Sequence, residues 1–379
     1  MAGKKRKKTK SLAETRRGNR RIVKEEEKKV TEGLRPCSEL PMELLELIAS
    51  RLRLKENIRF SLVCKRWHFV AVSARVLNRS PWLMFPQKNS SLCKFFDPSH
   101  RAFYFLDIPD LYGSRICYAK DGWLLIYRPR NSRVFFFNPF TKAIIKLPRF
   151  ELRHQSVAFS SAPTSPSCIV FLIECVNPLV VSVSTCHPGA VEWSTVNHQS
   201  KLPFVVGFSD WNNMIFCGKF FYVLNLMGLL GVFDPENQTW NVLDVRPPAV
   251  LDIYFFRKRW RGRFMVEFRG ELLVMYTCFR EKPIIFKLDQ SKMEWEKVKS
   301  LDGLTMFASF LSSHLSSNLP RIMSNSVYFP KVRFYGKRCI SYSLDDCRYY
   351  PSKECHDWVE QEPFESIWIE PPEDVSTFV

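Results

Sequence analysis

The chain has none of the short motifs that announce common catalysis. No Walker loop, G-x-G-x-x-G, G-x-S-x-G or H-E-x-x-H occurs, and no Cys/His cluster has metal-ligand spacing. Twelve cysteines are present but no C-x-x-C pair, which argues against both a zinc frame and a disulfide framework. The N-terminal MAGKKRKKTK is not followed by an apolar stretch, so no secretion signal is read there. Reduced, mostly buried thiols in a nuclear or cytosolic protein are the expectation. The seven histidines (His68, His100, His154, His187, His198, His314 and His356) are far apart and have no recognisable carboxylate companions. Cys355, His356 and Asp357 are adjacent, and so point in different directions. A non-enzyme without cofactor or metal is expected; the enzymatic alternative needs a site assembled by folding. The longest apolar run, 220–233, has 14 residues and includes Asn225 and two glycines. A membrane helix needs about 20, so the run reads as two core strands around Met227 and Gly228.

Positive charge is what the chain does have, and unevenly. Of a net +18, residues 1–36 carry +9, from 14 Lys/Arg against 5 Glu. This segment has too little apolar content to order itself and reads as a disordered basic tail. Its clusters, Lys4, Lys5, Arg6, Lys7 and Lys8, then Arg16 and Arg17, then Arg20 and Arg21, suit nuclear import. A solubilising tail and direct contact with nucleic acid are the alternatives. The remaining +9 over 343 residues is mild.

Between 40 and 77 the pattern is helical. Pro41 suits a first helical position. Leu44, Ile48 and Leu52 recur every four residues, widened by Leu45 and Leu47, with Glu43, Glu46 and Arg51 on the other face. Lys55, Glu56 and Asn57 are expected to break this helix, Ile58 and Leu62 to begin a second, and Trp67, Val70, Ala71 and Ala74 to line a third. Three such helices bury little surface, so a free apolar face is expected to seek a partner. Leu40-Pro41, Glu43-Leu44-Leu45, Ile48, Arg51-Leu52 and Ser61-Leu62-Val63-Cys64-Lys65-Arg66-Trp67 closely resemble the F-box motif. That resemblance implies docking on a Skp-type adaptor and, through it, a cullin ligase. Leu40, Pro41, Leu44, Ile48, Leu62, Val63, Cys64, Lys65 and Trp67 are the residues it assigns to partner binding, some of which, Trp67 in particular, would serve as core. An ordinary helical hairpin is the alternative.

After residue 76 the period falls to two. Apolar runs at 102–106, 123–127, 134–137, 169–173, 179–183, 220–224, 229–233, 272–276, 284–288, 326–329 and 339–342 are rich in Phe, Val, Ile and Tyr and read as strands. Only 309–319 looks like a helical interruption. Asn138, Asp234 and Asp289 each end a strand, and Ile144, Trp240 and Trp295 each follow six residues later. Asn and Asp suit such turns because their side chains accept backbone hydrogen bonds two residues on. Trp193, Trp240 and Trp295 are spaced 47 and 55 residues apart. Periods near 50 with about four strands each indicate Kelch-like blades of a β-propeller, five or six in number; a β-sandwich is the alternative. The double glycine of standard Kelch repeats is missing, and only 14 glycines occur in all.

The ending, Tyr342-Ser343-Leu344-Asp345-Asp346, Arg348-Tyr349-Tyr350-Pro351 and Ile367-Trp368-Ile369-Glu370-Pro371-Pro372, resembles that of a large plant family of F-box proteins with divergent Kelch-like propellers. The resemblance spans about 37–372. It implies substrate recognition for a ubiquitin ligase without naming the substrate. The expected fold is therefore mainly β with a small α domain: tail 1–36, F-box 37–78, propeller 85–350, and a closing acidic segment 351–379. One further stretch, Arg257, Lys258, Arg259, Arg261 and Arg263 interleaved with aromatics, is read as a loop between blades. It is a candidate contact for an acidic or phosphorylated partner, with a solvated connection, nucleic acid or the chain's own acidic ending as alternatives. An alternative overall function follows, a nuclear nucleic-acid- or acidic-protein-binding protein without ligase role. Location in the nucleus, the cytoplasm or both is expected.

Overall fold

The computed structural model describes residues 40–52, 54–77, 80–86, 90–152, 156–201, 211–225, 228–247, 260–278, 282–333, 338–351 and 366–371. The chain divides near residue 75 into two compact units.

The first unit has three helices, α1 (Met42–Arg51), α2 (Leu54–Ser61) and α3 (Lys65–Leu77). Lys55, Glu56 and Asn57 lie inside α2 and do not break the chain. The turn comes earlier, at Leu52, whose backbone is extended (φ −76°, ψ 139°). Its core is Leu45, Ala49, Phe60, Val70, Ala71 and Ala74, with Leu40, Met42, Leu52 and Trp67 packed against it. Met42, Leu45, Ala49 and Leu52 thus make the inward stripe of α1, at spacings of three or four residues. Leu44 and Ile48, expected on that stripe, face outward. The buried Asn57 ties α2 to α1 by donating Nδ2–H to the Ala49 carbonyl at 3.4 Å.

The second unit has six sheets among its described residues. The first contains β1 (Trp82–Phe85), β2 (Leu92–Asp97) and β3 (Ala102–Asp107); the second, β4 (Arg115–Lys120), β5 (Trp123–Arg128), β6 (Arg133–Phe137) and β7 (Ile144–Lys146). The third contains β8 (Ser156–Phe159), β9 (Val170–Asn177), β10 (Val180–Cys186) and β11 (Ser194–Gln199); the fourth, β12 (Trp211–Cys217), β13 (Phe220–Asn225), β14 (Leu230–Asp234) and β15 (Thr239–Leu243). The fifth contains β16 (Trp260–Phe268), β17 (Glu271–Cys278), β18 (Ile284–Asp289) and β19 (Glu294–Val298). The sixth has five strands, β20 (Thr305–Phe307), β21 (His314–Ser316), β22 (Ser326–Arg333), β23 (Arg338–Ser343) and β24 (Arg348–Tyr350). The last strand, β25 (Ile367–Ile369), returns to the first sheet and pairs antiparallel with β1, Trp368 opposite Leu83.

Inner strands adjoin in the order β25, β4, β8, β12, β16 and β21, a ring of six blades. The seam between last and first is packed around one indole ring. Trp368 on β25 is fully buried, stands edge-on to Phe307 of the sixth sheet at 4.9 Å, and donates its indole N–H to the Ala308 carbonyl at 3.1 Å.

The turn before the outermost strand repeats in five blades. Asp97, Asn138, Asp234 and Asp289 each accept from backbone N–H groups two and three residues on, at 2.9–3.2 Å. Ser343 does the same more simply, accepting from the Asp346 N–H. Four residues after each acceptor the backbone is left-handed: Arg101, Lys142, Gln238, Met293 and Cys347 have φ of 51–59°. A type I turn followed by one left-handed residue makes a hairpin with the twist strands require. Asn138 is buried, so its two accepted bonds have no water to replace them. Asn138→Ala is expected to cost about 1–2 kcal/mol in urea denaturation, and Asn138→Asp much less. An unchanged midpoint for the alanine variant would assign the turn to Pro139 instead.

The spaced tryptophans join neighbouring blades. Trp193 donates to the Pro148 carbonyl at 3.0 Å, Trp240 to Ser200 at 3.5 Å and Trp295 to Val245 at 3.1 Å. Each acceptor follows the outermost strand of the preceding blade. Aromatic packing does the rest, as where Phe171 of the third sheet stacks on Phe221 and Phe233 of the fourth at 4.8 and 4.9 Å.

Residues 309–319 are not helical; they contain β21. Serine side chains compete there for the backbone groups a helix would use. Ser313 donates to the Ser309 carbonyl at 2.9 Å and accepts from the Ser309 N–H at 3.2 Å, while Ser309 Oγ bonds the Ser312 carbonyl.

Candidate functional site: the outer face of the helical unit

With its core supplied by Leu45, Ala49 and the three inward residues of α3, the helical unit leaves several large apolar side chains in water. Leu44, Leu47 and Ile48 of α1 are 40–48% exposed. Leu62 and Val63, just after α2, are 78% and 56% exposed, and Phe69 of α3 is 63% exposed. Exposed apolar residues in such number on so small a unit mark an interaction surface. Burying a Leu or Val side chain is worth about 1.5–3 kcal/mol.

The residues assigned to partner binding separate into two groups. Leu44, Ile48, Leu62 and Val63 are exposed, as are Pro41 and Lys65, while Leu40 and Cys64 are half-buried. Trp67 belongs to the core side: its ring stacks on Phe60 at 4.2 Å. Leu47 and Phe69 were missed as surface residues. Leu47 lies beside Leu44 and Ile48 on the outward side of α1, and only knowledge of which face Ala49 occupies separates them from the core.

The basic clusters of the tail, and Arg257, Lys258 and Arg259, lie outside the described residues. Arg261 and Arg263 do not sit in a loop as expected but on β16, the inner strand of the fifth sheet. The alternation of Gly262, Phe264 and Val266, all buried, is the signal for this. Interleaved cations obscure it.

Folding does give two histidines carboxylate neighbours. The turn at Asp97 brings its Oδ2 to 2.7 Å from His100 Nδ1. His314 Nδ1 stands 3.6 Å from Glu370 Oε1, with Ser312 Oγ at 2.5 Å from Nε2. His314 Nε2 also lies 3.3 Å from the Trp368 carbonyl, so the ring nitrogen that meets Ser312 is shared with the backbone of β25. These groups fasten β21 to β25.

Nine cysteines among the described residues are free thiols. Burial pushes Cys93, Cys168, Cys186 and Cys217 up to about 11, the opposite of an activated nucleophile. Among the described residues no His/Cys/Asp/Glu group has metal-binding geometry, and no helix is long and apolar enough to cross a membrane.

A family profile described as the F-box domain matches residues 37–78, and one described as the KIB1-4 beta-propeller matches 95–356. The chain belongs to the plant F-box proteins with a KIB1-4 β-propeller. F-box protein At4g00893 of Arabidopsis thaliana is 41% identical over 347 residues, covering 89% of this chain and 87% of the relative. F-box/kelch-repeat protein At1g57790 of the same plant is 39% identical, covering 90% and 96%. F-box protein At3g56470 is 38% identical, covering 88% of each. This F-box protein joins a small helical F-box unit to a six-bladed ring. The propeller profile stops short of β1 and β25, the two strands that complete the first sheet.

Proposed function

We propose that this F-box protein is the substrate-recognition subunit of a Skp–cullin–F-box ubiquitin ligase. The helical unit binds the Skp-type adaptor and the propeller holds a protein substrate. The role is not enzymatic: tethering raises the local concentration of substrate lysines near the ubiquitin-charged enzyme. The observation that carries this reading is the exposure of Leu44, Leu47, Ile48, Leu62 and Val63 on a unit whose core is complete without them.

The test is co-purification with a Skp-type adaptor. Leu62→Asp with Val63→Asp is expected to weaken adaptor binding at least thirtyfold, the equivalent of about 2 kcal/mol at a buried interface position. The melting of the propeller should stay unchanged. Full adaptor recovery by the double variant would sink the assignment.

The clusters Lys4, Lys5, Arg6, Lys7, Lys8, Arg16, Arg17, Arg20 and Arg21 serve, on the same reading, as an import signal for a protein working in the nucleus. Removing residues 1–30 should shift a fluorescent fusion toward the cytoplasm; unaltered nuclear signal would discard that role.

A further inference from the structure

A surface cavity of about 300 Å³ opens beside the outermost strand of the second blade. Four cations line it, Arg128, Arg133, Lys146 and Arg149, and, among the described residues, one carboxylate, Asp110. The cations come from neighbouring strands. Arg128 ends β5 and is the direct cross-strand partner of Arg133, which opens β6; Lys146, on β7, stands opposite Phe135 of β6. Alternate residues share a face, so Arg128, Arg133 and Lys146 project from the same side of the sheet. The chain after β7 keeps to β6. Leu147 N–H donates to the Val134 carbonyl and Phe150 N–H to the Ser132 carbonyl, each at 3.1 Å, which holds Arg149 alongside the others.

For the fold this arrangement is a cost, because like charges directly opposite on adjacent strands destabilise a sheet. Arg128 is engaged by the protein. It donates to the Asp110 carbonyl at 2.7 Å and to Ser114 Oγ at 3.2 Å, and its guanidinium rests 5.5 Å from the Phe135 ring centre. The Asp110 carboxylate stands 3.9 Å from the same guanidinium. Arg133, Lys146 and Arg149 are exposed, and among the described residues none of their side chains has an ion-pair or hydrogen-bond partner. With the carboxylate engaged by Arg128, four cations less one acid leave an excess of three positive charges around the cavity. Ile144, 43% exposed, adds an apolar patch at the same place.

We propose that this cavity binds an acidic segment of the protein that the propeller holds. The number and spread of the cations select this occupant. They stand on adjacent strands about 4.8 Å apart, and carboxylates on alternate residues of an extended peptide, about 6.5–7 Å apart, meet them one by one. A single phosphate, about −1.5 to −2 at pH 7, leaves part of the excess uncompensated. An aliphatic residue flanking the acids covers Ile144. Single-stranded nucleic acid also spreads its charge, but proteins that hold it add aromatic rings on which bases stack. The aromatic ring that lines this cavity, Phe135, is 6% exposed. The proposal rests on the reading of the propeller as the substrate-holding part.

The test is fluorescence anisotropy of the full chain at physiological ionic strength, which screens the basic tail. The probes are a labelled peptide Gly-Asp-Leu-Asp-Leu-Asp-Gly, its counterpart with asparagine for aspartate, and oligothymidine. The acidic peptide is expected to bind, and the asparagine peptide about tenfold more weakly. Arg133→Gln with Lys146→Gln should weaken the acidic peptide about fivefold, as for two exposed ion pairs. Arg130→Gln with Lys142→Gln removes the same charge from exposed positions of the same blade outside the cavity, and should leave binding unchanged. Arg133→Gln alone should hold or raise the melting temperature, because it relieves the repulsion from Arg128. A fall would show that Arg133 serves the fold, and overturns the proposal. So do absence of binding by wild type, equal binding of the asparagine peptide, unchanged binding in the cavity variant, or equal losses in both double variants. Tighter binding of oligothymidine, lost in the cavity variant, would make this a nucleic-acid contact and overturns the proposal too. Adaptor co-purification on the same preparations separates the two readings: if it persists while peptide binding is absent, the cavity assignment fails and the ligase role stands.

Discussion

A chain ended at Pro351 is expected to be recovered only as aggregate or proteolytic fragments, with no cooperative melt. The truncation removes β25, and with it the partner of Trp82, Leu83 and Met84 on β1. These three are buried in the intact ring. Their loss of cover exposes an apolar edge with unpaired N–H and C=O groups, the configuration most prone to edge-to-edge aggregation. The loss of Trp368 also opens the contact with Phe307 and Ala308 on the sixth sheet, so two blades are damaged and the ring is no longer closed. Trp368→Ala keeps the strand and removes only the ring; its cost should be about 3–5 kcal/mol, as for other fully buried aromatics. Against a total of about 5–15 kcal/mol, the point variant should be soluble but much less stable. A sharp thermal transition in the soluble truncated chain would show that three strands complete the first sheet unaided.

The second large effect is expected at Trp67. Three of the six buried core residues of the helical unit are alanines, so the aromatic stack of Trp67 on Phe60 supplies much of the packing. Trp67→Ala should cost about 3–5 kcal/mol, which is as much as a unit this small has to lose. Backbone amides of 42–77 should lose hydrogen-exchange protection, and adaptor binding should fail as a consequence. The Leu62→Asp, Val63→Asp variant is expected to lose the adaptor with those amides still protected. If Trp67→Ala instead keeps its protection and loses only the adaptor, Trp67 is a contact residue and not part of the core.

The difference between these two variants marks how far local pattern can be read. Leu44, Leu45, Leu47 and Ile48 cover so much of α1 that periodicity alone does not choose the inward face. The choice is made by Ala49, small enough for close helix approach, and by Leu52 at the turn. Strands and turns were more legible because their causes are local. The acceptor at a strand's end and the apolar residue six later stand within one hairpin, and the same spacing holds at Asp97 with Phe103 and Ser343 with Tyr349. The number of blades was not legible. The third sheet joins β10 to β11 by a longer loop, 187–193, without this turn. The sixth places β20 parallel to β22 and adds β21 beside it. The ending could be read as closing the ring, but its pairing with β1 in particular could not, because the two segments are distant in the chain and share no local pattern.

The pairing of β1 with β25 also sets a clock on synthesis. Leu83 and its partner Trp368 are 285 residues apart, and at about 5–20 residues per second a ribosome needs roughly 15 seconds to a minute to make the intervening chain. Throughout that interval the helical unit has already emerged with its apolar face complete, while the ring lacks its last strand. On the proposed role, a nascent or prematurely ended chain is competent to occupy the adaptor before it is competent to hold a substrate. Completion of the final few residues therefore separates a productive receptor from a silent competitor.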